Sequence, residues 1–178
     1  MLKRSQLSGL IAAGLLFTSI QVLAVDVPIK IVGTIQIPPC QVNNGEMIEV
    51  NLGDISVTDV ENKRNQRKIS VPVTCRYAQG TAYIKITGTP LGKNTNVLVT
   101  NVDNFGIALY QGDGTITKLV LGDGKYNGQN SIGYPIETGL TGKESGTFTF
   151  TAAPYKEENK DLTAVAFTAS ANMNISYF

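Results

Sequence analysis

Residues that could support catalysis or bind a metal are few in this sequence. It contains no histidine, the commonest general base and the commonest metal ligand in proteins. With only two cysteines and no histidine, the chain cannot assemble a structural zinc site. The usual routes to acid–base and nucleophilic catalysis are therefore closed, and we do not expect an enzyme.

The two cysteines, Cys40 and Cys75, have two interpretations. An even number of cysteines in an exported protein favours a disulfide, and the N-terminus described below indicates export. The bridge would close a loop of roughly 35 residues and contribute about 3–4 kcal/mol in the chain-entropy model. The alternative is a redox pair, but active redox pairs usually lie two residues apart. We therefore predict a structural disulfide.

The acidic residues do not indicate a metal site. Asp113 and Asp123 lie in Gly-Asp-Gly turns, but neither has the carboxylate spacing of a dedicated calcium loop. Aspartate is a common turn former, so we interpret both as turn residues. The carboxylates near residues 157–161 alternate with lysines, which is typical of a solvated loop. We predict no metal and no cofactor.

The tyrosine side chains are compatible with one binding function, the recognition of a carbohydrate. Exposed aromatic rings stack on sugars, although tyrosine in a β-sandwich is more often half-buried packing. The candidate tyrosines are Tyr77, Tyr83, Tyr110, Tyr126, Tyr134 and Tyr155. A complete secreted carbohydrate-binding β-sandwich therefore remains an alternative function.

The length of 178 residues fits one domain, or one domain with an extension. The net charge is +1, so there is no basic field to hold a nucleic-acid backbone, and we expect no nucleic-acid partner. Charged residues make up 16% of the chain and glycine is abundant at 18 residues. This balance favours a β-rich globular protein over a disordered one.

Residues 1–24 are typical of a secretory signal peptide. Lys3 and Arg4 precede an apolar stretch, and small residues ending at Ala24 fit a signal-peptidase site. The alternative, a membrane anchor, is disfavoured because the apolar stretch is short and polar residues follow it at once. We predict cleavage after Ala24 and export of residues 25–178.

Alternating hydrophobicity predicts strands through most of the chain. The alternating stretches lie near residues 48–52, 69–75, 82–86, 97–99, 105–109, 116–121 and 147–151. Glycine-rich turn signals separate them, and residues 59–68 are polar and predicted to form a loop. No segment has a convincing helical period. Many short strands at this spacing predict an antiparallel β-sandwich.

Both ends of the exported chain contain long alternating segments. In residues 25–37 one face is almost wholly apolar, with one glycine in the row: Val27, Ile29, Ile31, Gly33, Ile35 and Ile37. The C-terminal segment places Phe167, Ala169, Ala171, Met173, Ile175 and Tyr177 on one face. The first segment is either an ordinary first strand or a strand meant for another protein's core. Pro38 and Pro39 separate it from the domain that begins near Cys40, because proline suits strand ends.

Together these features resemble the pilins of the chaperone–usher pathway, in particular the minor tip-adaptor pilins of P-type pili. The resemblance rests on the alternating arm that leads into Pro-Pro-Cys, the second cysteine at Cys75 and the penultimate Tyr177. Three stretches carry it more specifically: IPPCQVNNG at 37–45, NFGIALYQG at 104–112 and TFTFTAAPY at 147–155. One departure is Val165, which stands where this family usually has glycine.

The resemblance implies an immunoglobulin-like sandwich that lacks its seventh strand and is completed by donor-strand complementation. Residues 1–24 would be the signal peptide, 25–37 the donor strand and 38–178 the incomplete domain. The missing strand would leave a groove bordered by residues 165–178 and by a strand near Cys40. Residues implied for the donor strand are Val27, Ile29, Ile31, Gly33 and Ile35; those implied for the groove and chaperone strand are Phe167, Ala169, Ala171, Met173, Ile175, Tyr177 and Phe178.

The implied function is that of a minor fimbrial subunit, a tip adaptor that joins the adhesin to the fibre and supports adhesion. The implied partners are a periplasmic chaperone, an outer-membrane usher, the adhesin and neighbouring pilins. The protein would pass through the periplasm and end in a fimbrium on the bacterial surface. A major rod subunit and a terminator subunit of the same family remain alternatives.

Overall fold

A computed structural model of the chain describes residues 26–126, 129–130 and 132–178. The predicted signal peptide, residues 1–24, and Val25 at the start of the predicted arm lie outside these residues. The contacts divide the chain after Thr34, and the second unit runs from Ile35 to Phe178. Within the described residues, no helix is both long and apolar enough to cross a membrane.

The described strands form antiparallel sheets. In chain order they are β1 (Gln41–Val42), β2 (Arg67–Thr74), β3 (Ala82–Thr87), β4 (Val97–Val99), β5 (Phe105–Gln111), β6 (Thr117–Lys118), β7 (Lys125–Tyr126), β8 (Gln129–Asn130), β9 (Tyr134–Pro135), β10 (Ser145–Lys156) and β11 (Asn172–Tyr177). One sheet has the order β1-β2-β10-β5-β4, with β6 also paired to β5. A second sheet has the order β11-β3-β9, and β7 pairs with β8.

The core lies between the two larger sheets. β2 alternates exposed and buried residues, which places Val71 and Val73 inside, and Phe148 of β10 lies opposite Val71. β3 and β11 supply Ile84 and Ile175, both fully buried. Period-2 alternation thus fills the space between the sheets. The predicted antiparallel sandwich is confirmed.

In the part of the chain that the structure describes, two short 3-10 helices interrupt the strands, Asn43–Gly45 and Lys63–Asn65. The predicted loop over residues 59–68 is therefore partly wrong, because it contains the second helix and because β2 begins at Arg67. Asn65 is buried and its Nδ2 donates to the carbonyls of Asp59 (2.6 Å) and Val60 (3.0 Å). These bonds hold a polar segment in a defined turn.

Several predicted strands are shorter than the hydrophobic pattern or absent. Residues 46–56 form no strand although Ile48, Val50 and Leu52 alternate, and in residues 116–121 only Thr117–Lys118 pairs with β5. The C-terminal strand begins at Asn172, so residues 165–171 are not part of it. Residues 26–39 also form no strand. Alternation makes a segment compatible with a sheet, but a strand also needs a neighbouring backbone to pair with.

Candidate functional site

A groove of about 960 Å³ lies in the unit from Ile35 to Phe178. Two extended segments border it: the first rim, residues 47–55, and the second rim, residues 162–173. Its floor is apolar and comes mainly from β5, β10 and the residues around β4. The floor residues are Ile86, Leu98, Val102, Phe105, Ile107, Leu109, Phe150 and Ala152.

The first rim runs beside the groove without joining a sheet. Leu52 is buried, whereas Ile48 and Val50 are half-buried, so their alternation reflects one face turned toward the core. Arg67 ties this rim to the body: its Nη2 donates to the Leu52 carbonyl at 3.0 Å. Its Nη1 donates to the carbonyls of Arg64 (2.8 Å) and Gln66 (3.0 Å). The guanidinium therefore bridges the 3-10 helix and the rim.

The second rim is held by one ring contact and one amide side chain. Phe167 packs edge-on against Phe105 of the floor, with ring centroids 4.8 Å apart. Asn101 bonds the backbone of the rim on both sides of Phe167: its Nδ2 donates to the Ala166 carbonyl (3.1 Å), and its Oδ1 accepts from the Thr168 N–H (2.7 Å). Residues 162–171 otherwise form no strand.

The structure separates the predicted groove residues into three groups. Phe167, Ala169, Ala171 and Met173 line the groove. Ile175 and Tyr177 belong to the closed core instead, because both lie in β11, which pairs with β3 and packs inside the sandwich. Phe178 lies outside the groove lining, with its ring edge-on to Tyr83 at a centroid distance of 6.1 Å.

Tyr177 closes the end of the sandwich. It is fully buried, and its hydroxyl donates to the Leu140 carbonyl and lies 3.0 Å from the Lys143 carbonyl. A buried hydroxyl needs such partners because an unsatisfied one costs about 1–3 kcal/mol. The penultimate tyrosine thus secures the 140–143 turn rather than lining the groove.

The groove borders differ in part from those predicted. The predicted second border, residues 165–178, contributes only its part up to Met173. The strand near Cys40 is β1, which pairs with β2, and the rim itself begins several residues later at Met47. The reason is the 3-10 helix Asn43–Gly45, which ends β1 before the chain reaches the groove.

The predicted donor residues lie on an exposed arm. Val27, Ile29, Ile31 and Ile35 are 77%, 84%, 90% and 103% exposed, respectively. Nothing lies within 4 Å of the position that a Cβ on Gly33 would occupy. Residues 26–39 form no strand in the described structure.

The predicted disulfide is confirmed: Cys40 and Cys75 are bonded, with their Cα atoms 4.2 Å apart. Both residues are buried. The Cys40 N–H also donates to the Ile175 carbonyl at 2.8 Å, and β1, which follows it, pairs with β2. The bridge therefore fixes the beginning of the domain against β11 and the end of β2.

The Gly-Asp-Gly aspartates form surface ion pairs. Asp113 lies 2.9 Å from the Lys68 ammonium, and Asp123 lies 2.6 Å from that of Lys85. Among the described residues, no group of three or more histidine, cysteine or acidic side chains is placed to hold a metal ion. Of the tyrosines considered for sugar stacking, Tyr83 is buried, and Tyr110 and Tyr155 pack against a small apolar cluster around Leu91.

Sequence reasoning missed Arg67 and Asn101, the side chains that hold the two rims. Each bonds main-chain groups distant in sequence, Arg67 to residue 52 and Asn101 to residues 166 and 168. Contacts between residues so far apart produce no recognisable pattern in the local sequence. The alternation of Ile48, Val50 and Leu52 does mark the first rim, but alternation by itself predicts a strand paired in a sheet.

Comparisons with known proteins agree with this architecture. A family model described as fimbrial protein matches residues 29–178. Fimbrial adapter PapF and Minor fimbrial protein PrsF, both from Escherichia coli, are each 43% identical over 164 residues, covering 92% of this chain and 94% of the relative. A solved structure of the P pilus adaptor subunit PapF is similar with a TM-score of 0.56 and 34% identity, covering 80% of this chain and 98% of that chain. The chain is therefore a member of the fimbrial protein family and has its immunoglobulin-like fold.

Proposed function

We propose that this protein is a minor fimbrial subunit, a tip adaptor that joins the adhesin to the fibre by donor-strand exchange. Its arm, residues 25–37, would complete the adhesin's pilin domain, and its groove would accept the arm of the next subunit. The similarity to Fimbrial adapter PapF and Minor fimbrial protein PrsF favours this role over a rod or terminator subunit. The role is structural and needs no catalytic residue.

The observation that carries the proposal is the combination of an unfilled apolar groove with an unpaired apolar arm. The groove floor is apolar and lies between two rims that form almost no strand pairs. The arm segment 27–37 would extend about 36 Å as a strand, which is comparable to the second rim at residues 162–173. An extended segment of a partner can pair with both rims and cover the floor, which is recognition by strand addition.

The energy of insertion would come mainly from the arm's apolar face. Val27, Ile29, Ile31 and Ile35 are almost fully exposed. Burying a side chain of this size contributes roughly 1.5–3 kcal/mol, so these four give about 6–12 kcal/mol before the cost of ordering the arm.

The proposed route includes a periplasmic chaperone that lends a strand to the groove, followed by exchange at an outer-membrane usher. Residues 1–24 would direct export and be removed, and residues 38–178 would form the incomplete domain. The finished subunit would stand in a fimbrium on the bacterial surface. This route follows from the groove, because an open sheet edge must be covered before the subunit meets its neighbour.

The test is expression of the chain in a periplasm with and without a pilus chaperone. We expect a soluble one-to-one complex when the chaperone is present, and aggregation or loss of the subunit when it is absent. Size-exclusion chromatography and thermal unfolding distinguish the forms. A monodisperse monomer that unfolds cooperatively without any partner would contradict the proposal and would favour the complete carbohydrate-binding sandwich.

Gly33→Leu is expected to fold with the chaperone but to be excluded from fibres. A bulky side chain at the one glycine of the arm's apolar face should clash where the acceptor groove is shallow, whereas Gly33 has free space in the subunit itself. Incorporation is measured by immunoblotting of purified fibres. Thr34→Leu, a neighbour on the other face of the arm, is the matched control. Normal incorporation of Gly33→Leu would contradict the proposed arm.

A further inference from the structure

The side chain of Asn101 takes the place of a neighbouring strand beside the second rim. Its amide donates to the Ala166 carbonyl and accepts from the Thr168 N–H, at 3.1 and 2.7 Å. A residue in a parallel strand makes the same pair of bonds, because its two backbone bonds go to the carbonyl of one residue and to the N–H of the residue two positions further along its neighbour. These bonds therefore give residues 166 and 168 the partners that a strand would supply.

Asn101 is itself held by an ordered turn. The neighbouring Thr100 Oγ1 accepts from the Val102 N–H at 3.0 Å and lies 2.9 Å from the Phe105 carbonyl, to which it donates. Val102 and Phe105 are buried in the groove floor. The position of the Asn101 amide is thus fixed relative to the floor that an inserted strand would cover.

The hydrogen bonds farther along the C-terminal segment show which backbone groups face each side. The Phe178 N–H and carbonyl both pair with Thr81, on the side of β3, whereas the Ile175 carbonyl accepts from Cys40 on the opposite side. In an extended chain the N–H and carbonyl of one residue point to the same side, and alternate residues point to opposite sides. At this end of the segment, even-numbered residues therefore face β3, and odd-numbered residues face the side on which Cys40 lies.

Asn101 follows the same alternation, since it bonds residues 166 and 168. We propose that Asn101 is a positioning residue that fixes the second rim in the register in which the backbone groups of Phe167 and Ala169 point into the groove. The backbone N–H and carbonyl groups of Phe167 and Ala169 are then oriented to pair with an inserted partner strand. This inference rests on the proposed function, because it assumes that the groove accepts a strand.

The experiment uses the full exported chain, residues 25–178, purified as its complex with a periplasmic pilus chaperone. The probe is a fluorescent synthetic peptide with the sequence of residues 26–37 of this chain, which displaces the chaperone from the groove. Capture is followed by native electrophoresis, and amide hydrogen exchange of the peptide-bound subunit reports the register. The variants are Asn101→Ala, which removes both bonds, and Asn101→Asp, which keeps the acceptor for Thr168.

In the wild-type peptide complex, the amides of residues 167, 168 and 169 are expected to exchange slowly. Asn101→Ala is expected to capture the peptide about tenfold more slowly, because the rim is no longer preorganised, and to lose protection at Thr168. Asn101→Asp should keep Thr168 protected and capture the peptide at an intermediate rate. The matched control is Asn94→Ala, which removes a similar bond to the Leu91 carbonyl outside the groove and should behave as wild type.

The outcomes separate the two proposals. Wild-type capture rates and a protected Thr168 in Asn101→Ala would overturn the role of Asn101 while leaving strand addition intact. Protection of residues 166 and 168 without protection of 167 and 169 in the wild-type complex would overturn the register. Failure of the wild-type chain to capture the peptide would overturn the inference about Asn101, whereas the proposed function is decided by whether the subunit depends on the chaperone.

Discussion

Cys75→Ser is expected to lower the free energy of unfolding by about 3–4 kcal/mol, because the disulfide no longer restricts the unfolded chain over a loop of roughly 35 residues. The effect on the native state should concentrate at the domain's beginning, where Cys40 contacts Ile175 and the chain then enters the first rim. Urea unfolding of the peptide-complemented subunit measures the change. We also expect a lower yield of the chaperone complex.

Cys40→Ser and the double replacement serve as controls for this result. All three variants remove the same bond, so the double variant should lose about as much free energy as either single variant rather than the sum of the two. A loss below about 1 kcal/mol in every variant would contradict a stabilising role for the bridge.

Gly106→Val is the second substitution with a large expected effect. A Cβ at this position would lie 2.5 Å from Val97 Cγ1 and 2.6 Å from the Leu98 carbonyl oxygen. That carbonyl belongs to β4, whose residue Val99 pairs with Gly106, so relief of the contact must separate β4 from β5. We expect a loss of about 3 kcal/mol or more, or no accumulation of folded subunit.

The measurement is the urea midpoint of the peptide-complemented subunit, together with the periplasmic yield of the chaperone complex. Ile116→Val is the matched control, because it introduces the same residue at a side chain that is 94% exposed and should change stability by no more than about 0.5 kcal/mol. An unchanged midpoint for Gly106→Val would show that β4 and β5 can separate at little cost.

The strands that pair within the chain were predictable from sequence. β2, β3, β5 and β10 have apolar residues in the positions that face a core, and each finds a partner backbone in the same chain. In these strands the alternating apolar residues that predict a strand are also the residues buried in the core, and the backbone is paired as well. The disulfide was also predictable, because a chain with two cysteines can form only one intramolecular disulfide, Cys40–Cys75.

The rims were less predictable because hydrophobic alternation does not reveal whether a partner strand exists. Ile48 and Val50 alternate as a strand would, yet the first rim has no strand beside it. The alternation from Phe167 to Tyr177 is continuous, but only its part from Asn172 pairs with β3. The positions of Arg67 and Asn101 depend on tertiary proximity, so their residue types alone indicated no role at the groove.

The order in which strands pair has a consequence for folding kinetics. β2 pairs with β10, and β3 pairs with β11 at the end of the chain, so neither large sheet can close before the C-terminal third is available. Loop-closure entropy must be overcome before such distant contacts form, and sandwiches of this kind fold in about milliseconds to seconds. In the proposed export route, the edge of β2 that pairs with β10 and the edge of β3 that pairs with β11 would emerge well before their partners and stay unpaired while translocation continues. The rate of translocation, as well as the final stability, determines how long these edges are open to aggregation.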